Sequence, residues 1–139
     1  MKYIFTKNIL YFARDTLILA ILFRYFLTLA ISNKLFLYTW LNAAVYFSIC
    51  FFLGYYYGRK EYKEIPLANS GLRFHITTYL VHNLVAYSWI YFDFIVPSEK
   101  NSIHYTALFW GIGLFVHIVS YFMFKNKSIK GISSEDVFE

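Results

Sequence analysis

Three histidines and one arginine stand inside otherwise apolar stretches, and these are the side chains of this sequence best able to do chemistry. The stretch GLRFHITTYLVHNLVAYSW carries His75, Tyr79 and His82. At 100° per residue they fall on one helical stripe with Ala86, and Asn83 lies at its edge. A second stretch, HYTALFWGIGLFVHIVSYF, sets Trp110, Gly113, His117, Ser120 and Tyr121 on a common face. A short connection makes the two helices antiparallel, which brings His117 level with His75 or His82. Two neutral imidazoles facing each other are a ligand pair for a haem iron or a transition metal. The plainer alternative is a hydrogen bond from each ring to a Ser, Tyr, Asn or carbonyl of the next helix, and a third is proton handling. His104, at the outer edge of its stretch, reads as solvated.

Arg24 lies nine residues beyond Asp15, about 14 Å along a helix, and no carboxylate stands at comparable depth in any apolar stretch. Its expected partners are Asn42, tyrosine hydroxyls, main-chain carbonyls or a carboxylate on another chain. The alternative is an external anion, a lipid phosphate or a haem propionate, suited to the planar fork of guanidinium donors. Gly54 and Gly58 form a G-x-x-x-G spacing, Ala44 and Ser48 a weaker small-x-x-x-small pair, and Gly111 and Gly113 remove side-chain bulk from the fourth apolar stretch. All are expected to let helices approach closely, within the monomer ahead of a dimer seam. The charge run RKEYKE reads as a solvated helix end or an anionic-lipid contact. Cys50, the single cysteine, reads as a packed apolar thiol. A Gly-rich phosphate loop, an H-E-x-x-H pair and a nucleophile elbow are all absent from the sequence.

The elements that carry these residues follow from composition. Of 139 residues, 59% are hydrophobic, 24% aromatic and only 15% charged, against about 25% charged in an average soluble domain. A hydrocarbon core of about 30 Å needs some 20 apolar residues per helix, and four such spans are read at 15–32, 36–57, 72–95 and 104–124. Pro66 and Pro97 fall between them, where they break no helix. The reading is an all-α, single-domain integral membrane four-helix bundle covering 1–139. Residues 3–13 are expected as an amphipathic lead-in along the interface, and 125–139 as a polar, flexible cytoplasmic tail. Arg24 interrupts the first apolar run and no small-x-small cleavage site follows, so the first span reads as retained.

Orientation follows from the cations. Lys2, Lys7, Arg14, Arg59, Lys60, Lys63, Arg73, Lys125, Lys127 and Lys130 fall on one side, and Lys34 and Lys100 on the other. The asymmetry places both termini in the cytoplasm. It also explains the net charge of +5 without nucleic acid, because the cations sit between apolar runs instead of lining one face.

The run Phe74-His75-x-x-x-Tyr79-x-x-x-Asn83, followed by Trp110-Gly111-Ile112-Gly113-Leu114-x-x-His117, resembles the bacterial two-transmembrane-helix (2TM) domain family over about residues 70–125. That resemblance implies a helical hairpin, found alone or joined to signalling modules, in a bacterial inner membrane. It names His75, Tyr79, Asn83, Trp110, Gly111, Gly113 and His117, and His82 is not a family position. No kinase, receiver or DNA-binding segment follows here. The expected function is a non-catalytic membrane subunit that docks with, stabilises or regulates another inner-membrane protein, or forms a homo-oligomer. Arg24, His75, Tyr79, Asn83, Trp110 and His117 are its binding residues and Gly54, Gly58, Gly111 and Gly113 its packing residues. One alternative is a haem b or metal protein using His75 and His117, with Arg24 near a propionate. The other is a sensor of lipid or of a small hydrophobic ligand.

Overall fold

The computed structural model describes residues 6–64 and 70–129. They form helices α1 (Lys7–Ser32), α2 (Phe36–Glu64), α3 (Ser70–Tyr91) and α4 (Lys100–Ile129), with a 3-10 turn at Pro97–Glu99 before α4. Among the described residues three helical segments are long and apolar enough to cross a membrane: α1, α2 and Pro97–Met123. The helices overrun the spans read from hydropathy because main-chain hydrogen bonding does not stop where hydrocarbon does. The 29 residues of α2 reach about 43 Å, well past a core of about 30 Å. For the same reason α1 runs unbroken from Lys7, so residues 7–13 belong to the first long helix instead of forming a separate interfacial one. Residues 3–5 of the expected lead-in and 130–139 of the expected tail lie outside the described residues, and 125–129 continue α4.

α3 has the length of a span, 22 residues, but not its apolarity, because Arg73, His75, His82 and Asn83 dilute it. Its position explains how it tolerates them. Among the described residues, α3 packs against each of the other three helices, whereas α4 comes close only to α3 and its own 3-10 turn. A central helix can satisfy polar side chains through its neighbours, as hydrocarbon cannot. α2 and α4 bury none of their most apolar stretches inside the molecule. Their exposed surface carries Phe47, Phe51, Phe52, Leu108, Phe109, Phe115 and Val116. Exposed Tyr11, Tyr55, Tyr56 and Tyr62 lie toward one end, and Tyr38, Trp40, Tyr91 and Tyr105 toward the other, the two-belt distribution that suits headgroup regions.

At one end, hereafter the hairpin end, α1 and α3 stop in the same way. The amide of Lys34 bonds to Ile31 O and that of Leu35 to Ala30 O, and the amides of Asp93 and Phe94 repeat the pattern on Ile90 and Trp89. Each closure places one residue in the left-handed region, Lys34 at φ 58° and Asp93 at φ 57°.

The opposite, basic end is tied by a buried polar cluster. Glu61 is fully buried and receives Thr6 Oγ1 (2.7 and 2.9 Å), Asn8 Nδ2 (3.2 Å) and Arg73 Nη1 (2.7 Å). It therefore joins the start of α1, the end of α2 and the start of α3. This corrects the reading of RKEYKE as a wholly solvated run. Beneath the cluster, Ile9, Phe12, Tyr57 and Phe74 form an apolar core against Leu53, with the Phe12 and Phe74 rings edge to face at 4.7 Å.

Candidate binding cleft

The middle of the bundle is an aromatic layer with one ring from each helix. Phe23 of α1 stacks on Tyr46 of α2 at 4.3 Å, Tyr46 Oη bonds His82 Nδ1 of α3 at 3.0 Å, and His82 lies 5.2 Å from the ring of Trp110 of α4. Tyr79 continues the layer against Trp110 at 5.8 Å. His82 is buried and makes the plain interhelical hydrogen bond described above. Tyr46, its partner, has no motif to mark it in the sequence.

Toward the basic end this layer opens. His75 and His117 do face each other, with ring centroids 5.3 Å apart and planes inclined by 51°. Both are exposed, however, against the expectation that they point into the bundle. Here α4 has only α3 to lean on, so the shared face is covered at His82 and Ala86 and bare at His75. The 5.3 Å between the rings is shorter than the roughly 6 Å that metal–nitrogen bonds of about 2 Å on both sides would set between centroids. Arg24, the residue expected near a propionate, pairs elsewhere. Among the described residues no group of three or more His, Cys, Asp or Glu side chains surrounds a point where a metal would sit.

Arg24 points toward the hairpin end, where its Nη1 lies 3.8 Å from Glu99 Oε2, and both side chains are buried. The carboxylate comes from outside the apolar stretches. Glu99 ends the 3-10 turn before α4, and that turn folds back into the bundle beside Thr28 instead of standing clear of it. At 3.8 Å the two charges attract without sharing a hydrogen bond, and Arg24 Nε remains unbonded. Asn42, the expected partner, donates instead to Phe23 O at 3.0 Å.

Of the remaining predicted residues, Asn83 donates to Tyr79 O of its own helix at 2.8 Å, and Tyr79 Oη donates to Ala107 O of α4 at 3.2 Å. Gly111 is what permits this second bond, since a Cβ there would sit 3.0 Å from Tyr79 Oη. Gly111→Ala is expected to displace the hydroxyl and lower stability by about 1 kcal/mol. In a Tyr79→Phe background the same change becomes neutral or mildly stabilising, because alanine is the better helix former. Thermal unfolding of the four variants in detergent reads the non-additivity, and equal shifts in both backgrounds would refute the contact.

The other predicted packing glycines do not pack. Gly54, Gly58 and Gly113 have no atom within 4 Å of a built Cβ, and Ala44 and Ser48 are exposed, with the serine hydroxyl bonded back to Ala44 O. Gly54 and Gly58 instead line a cavity of about 660 Å³ between α2 and α3, with Phe12 of α1 and Trp110 of α4 completing its wall. Its apolar wall includes Phe12, Phe47, Phe51, Phe74 and Trp110, and its rim includes His75. The polar groups within it are mostly satisfied internally: Tyr46 by His82, and Thr78 by the carbonyl of Phe74. Cys50 lies half-buried on the same wall. What this arrangement offers is a dry, aromatic, laterally open recess with little polar demand.

No family model matches the chain, and neither the curated proteins nor the solved structures compared with it give a match.

Proposed function

We propose that this is a non-catalytic integral membrane protein that takes a hydrophobic ligand from the bilayer into the cleft between α2, α3 and α4. The observation that carries the reading is the cleft. Its volume of about 660 Å³ falls in the range of small-ligand sites, about 300–1,000 Å³, and its lining is the apolar-aromatic kind such sites use. In this reading all four helices cross the inner membrane of a bacterium. α3 is the central span, and the basic end is cytoplasmic, as the distribution of lysine and arginine supports. The α3–α4 hairpin is then the part that resembles the 2TM domain, with Tyr79 fitted against Gly111.

A Cβ at Gly54 meets no atom within 4 Å, so Gly54→Leu projects its side chain into the cleft and stability should stay within about 0.5 kcal/mol. The expected result is a several-fold loss of co-purifying lipid and of binding by an environment-sensitive hydrophobic fluorophore. Unchanged lipid and fluorophore binding in a folded variant would overturn the proposal.

One observation favours a second reading, that of a membrane subunit docked on another membrane protein: the G-x-x-x-G spacing of Gly54 and Gly58 is left uncovered, as a seat for a partner helix would be. That reading predicts that Gly54→Leu removes a co-purifying protein and leaves the lipid complement intact. The pairing of Arg24 with Glu99 takes away its other support, a charge in need of an outside partner.

A further inference from the structure

We infer that the occupant of this cleft is one acyl chain of an anionic phospholipid from the leaflet on the basic side, with its phosphate held at Arg59. The inference rests on the ligand-binding reading above and adds the ligand's class, orientation and anchoring residue.

Length sets the orientation. Along α2 the cleft runs from Tyr46, in the mid-bundle aromatic layer, to Gly58 near the basic end, a rise of about 18 Å. Half of a hydrocarbon core of about 30 Å is about 15 Å, so the cleft spans one leaflet and is closed at its inner end by the aromatic layer. A ligand with a polar group at its deep end would find Tyr46 and Thr78 already bonded. A methyl-ended chain needs nothing from them.

Charge sets the headgroup. Arg59 follows Gly58 directly and stands 40° around the helix from Tyr55, the edge of the cleft-lining face. It is exposed, and no carboxylate pairs with it among the described residues. The nearby acids are turned away: Glu61 is buried on Arg73, and Glu64 accepts from Asn8 of α1. Lys60 folds onto Tyr56, its Nζ 4.3 Å from the ring centroid, and Arg59 is the cation next in sequence to the cleft-lining Gly58. A guanidinium is the side chain best matched to a phosphate diester, holding two oxygens at once.

The test uses the full-length protein in detergent, exchanged with vesicles of phosphatidylglycerol or phosphatidylcholine of identical chains and weighed by native mass spectrometry. Wild type is expected to retain phosphatidylglycerol about fivefold better, the worth of one cation at a membrane surface. Arg59→Gln should abolish that preference while fluorophore binding persists, and Gly54→Leu should lower lipid retention and fluorophore binding several-fold together. Equal retention of the two lipids by wild type, or a preference that survives Arg59→Gln, would overturn the inference and leave the ligand-binding reading standing. A Gly54→Leu variant that still retains both lipid and fluorophore overturns the two together. A second copy or another protein seated in place of lipid, visible as a larger mass, does the same.

Discussion

Glu99→Leu should be among the most damaging single substitutions in this protein, at about 3–5 kcal/mol, and more damaging than Arg24→Leu. The asymmetry follows from what each leaves behind. Without Glu99, the Arg24 guanidinium is buried with no counter-charge, and a guanidinium cannot shed its proton in a protein. Without Arg24, the carboxyl of Glu99 can take up a proton and become neutral, which limits the loss. The double variant Arg24→Leu with Glu99→Leu should recover much of the stability lost in the Glu99 variant, because no buried charge remains. Detergent thermal-unfolding midpoints for the four proteins test this. Equal midpoints for Glu99→Leu and wild type would mean that the two charges do not meet in the membrane.

That pair also shows where the sequence stops being readable. The helices themselves are legible, because an apolar run of span length has few other uses and the 3.6-residue period assigns faces. Glu99 was hidden because it lies in a connection, and hydropathy says nothing about a connection that folds back to the depth of a buried arginine. Glu61 did carry a signal that the charge run masked. Leu53, Tyr57 and Glu61 recur every four residues along α2, so Glu61 continues an inward stripe although its neighbours Arg59, Lys60 and Lys63 are exposed.

The histidines fail differently. Spacing correctly sets His75 and His117 on facing stripes, at 5.3 Å. A stripe, however, does not tell whether it is covered along its whole length. Coverage depends on how the helices diverge, and among the described residues α4 comes close to one other long helix, α3. The glycines show the same gap between spacing and use. Gly111 meets a tyrosine, whereas Gly54 and Gly58, with the stronger motif, meet nothing. Small residues permit close approach; whether a helix, a lipid or empty space takes it up is decided by the rest of the fold.

The buried acid at the basic end makes the second large prediction. Glu61→Ala is expected to destabilise the protein by about 3 kcal/mol or more, through loss of hydrogen bonds to an ionised carboxylate and of an ion pair with the acid fully buried. Glu64→Ala, three residues on, serves as the control. Glu64 is exposed and accepts one bond, from Asn8 at 3.0 Å, so its loss should cost well under 1 kcal/mol. Glu61→Gln should fall between them. Its amide keeps one oxygen acceptor for Arg73 or Thr6, but its two N–H groups oppose the donors of Thr6 and Asn8. The damage should also be local in a particular way. Thr6 both caps α1, accepting from the Ile9 amide, and binds Glu61, so removing the acid loosens the first turn of α1 from the end of α2. Hydrogen exchange should therefore rise at residues 9–13 in Glu61→Ala and stay at the wild-type level in the aromatic layer around His82. Protection lost evenly along all four helices would show that the cluster does not act as a local tie.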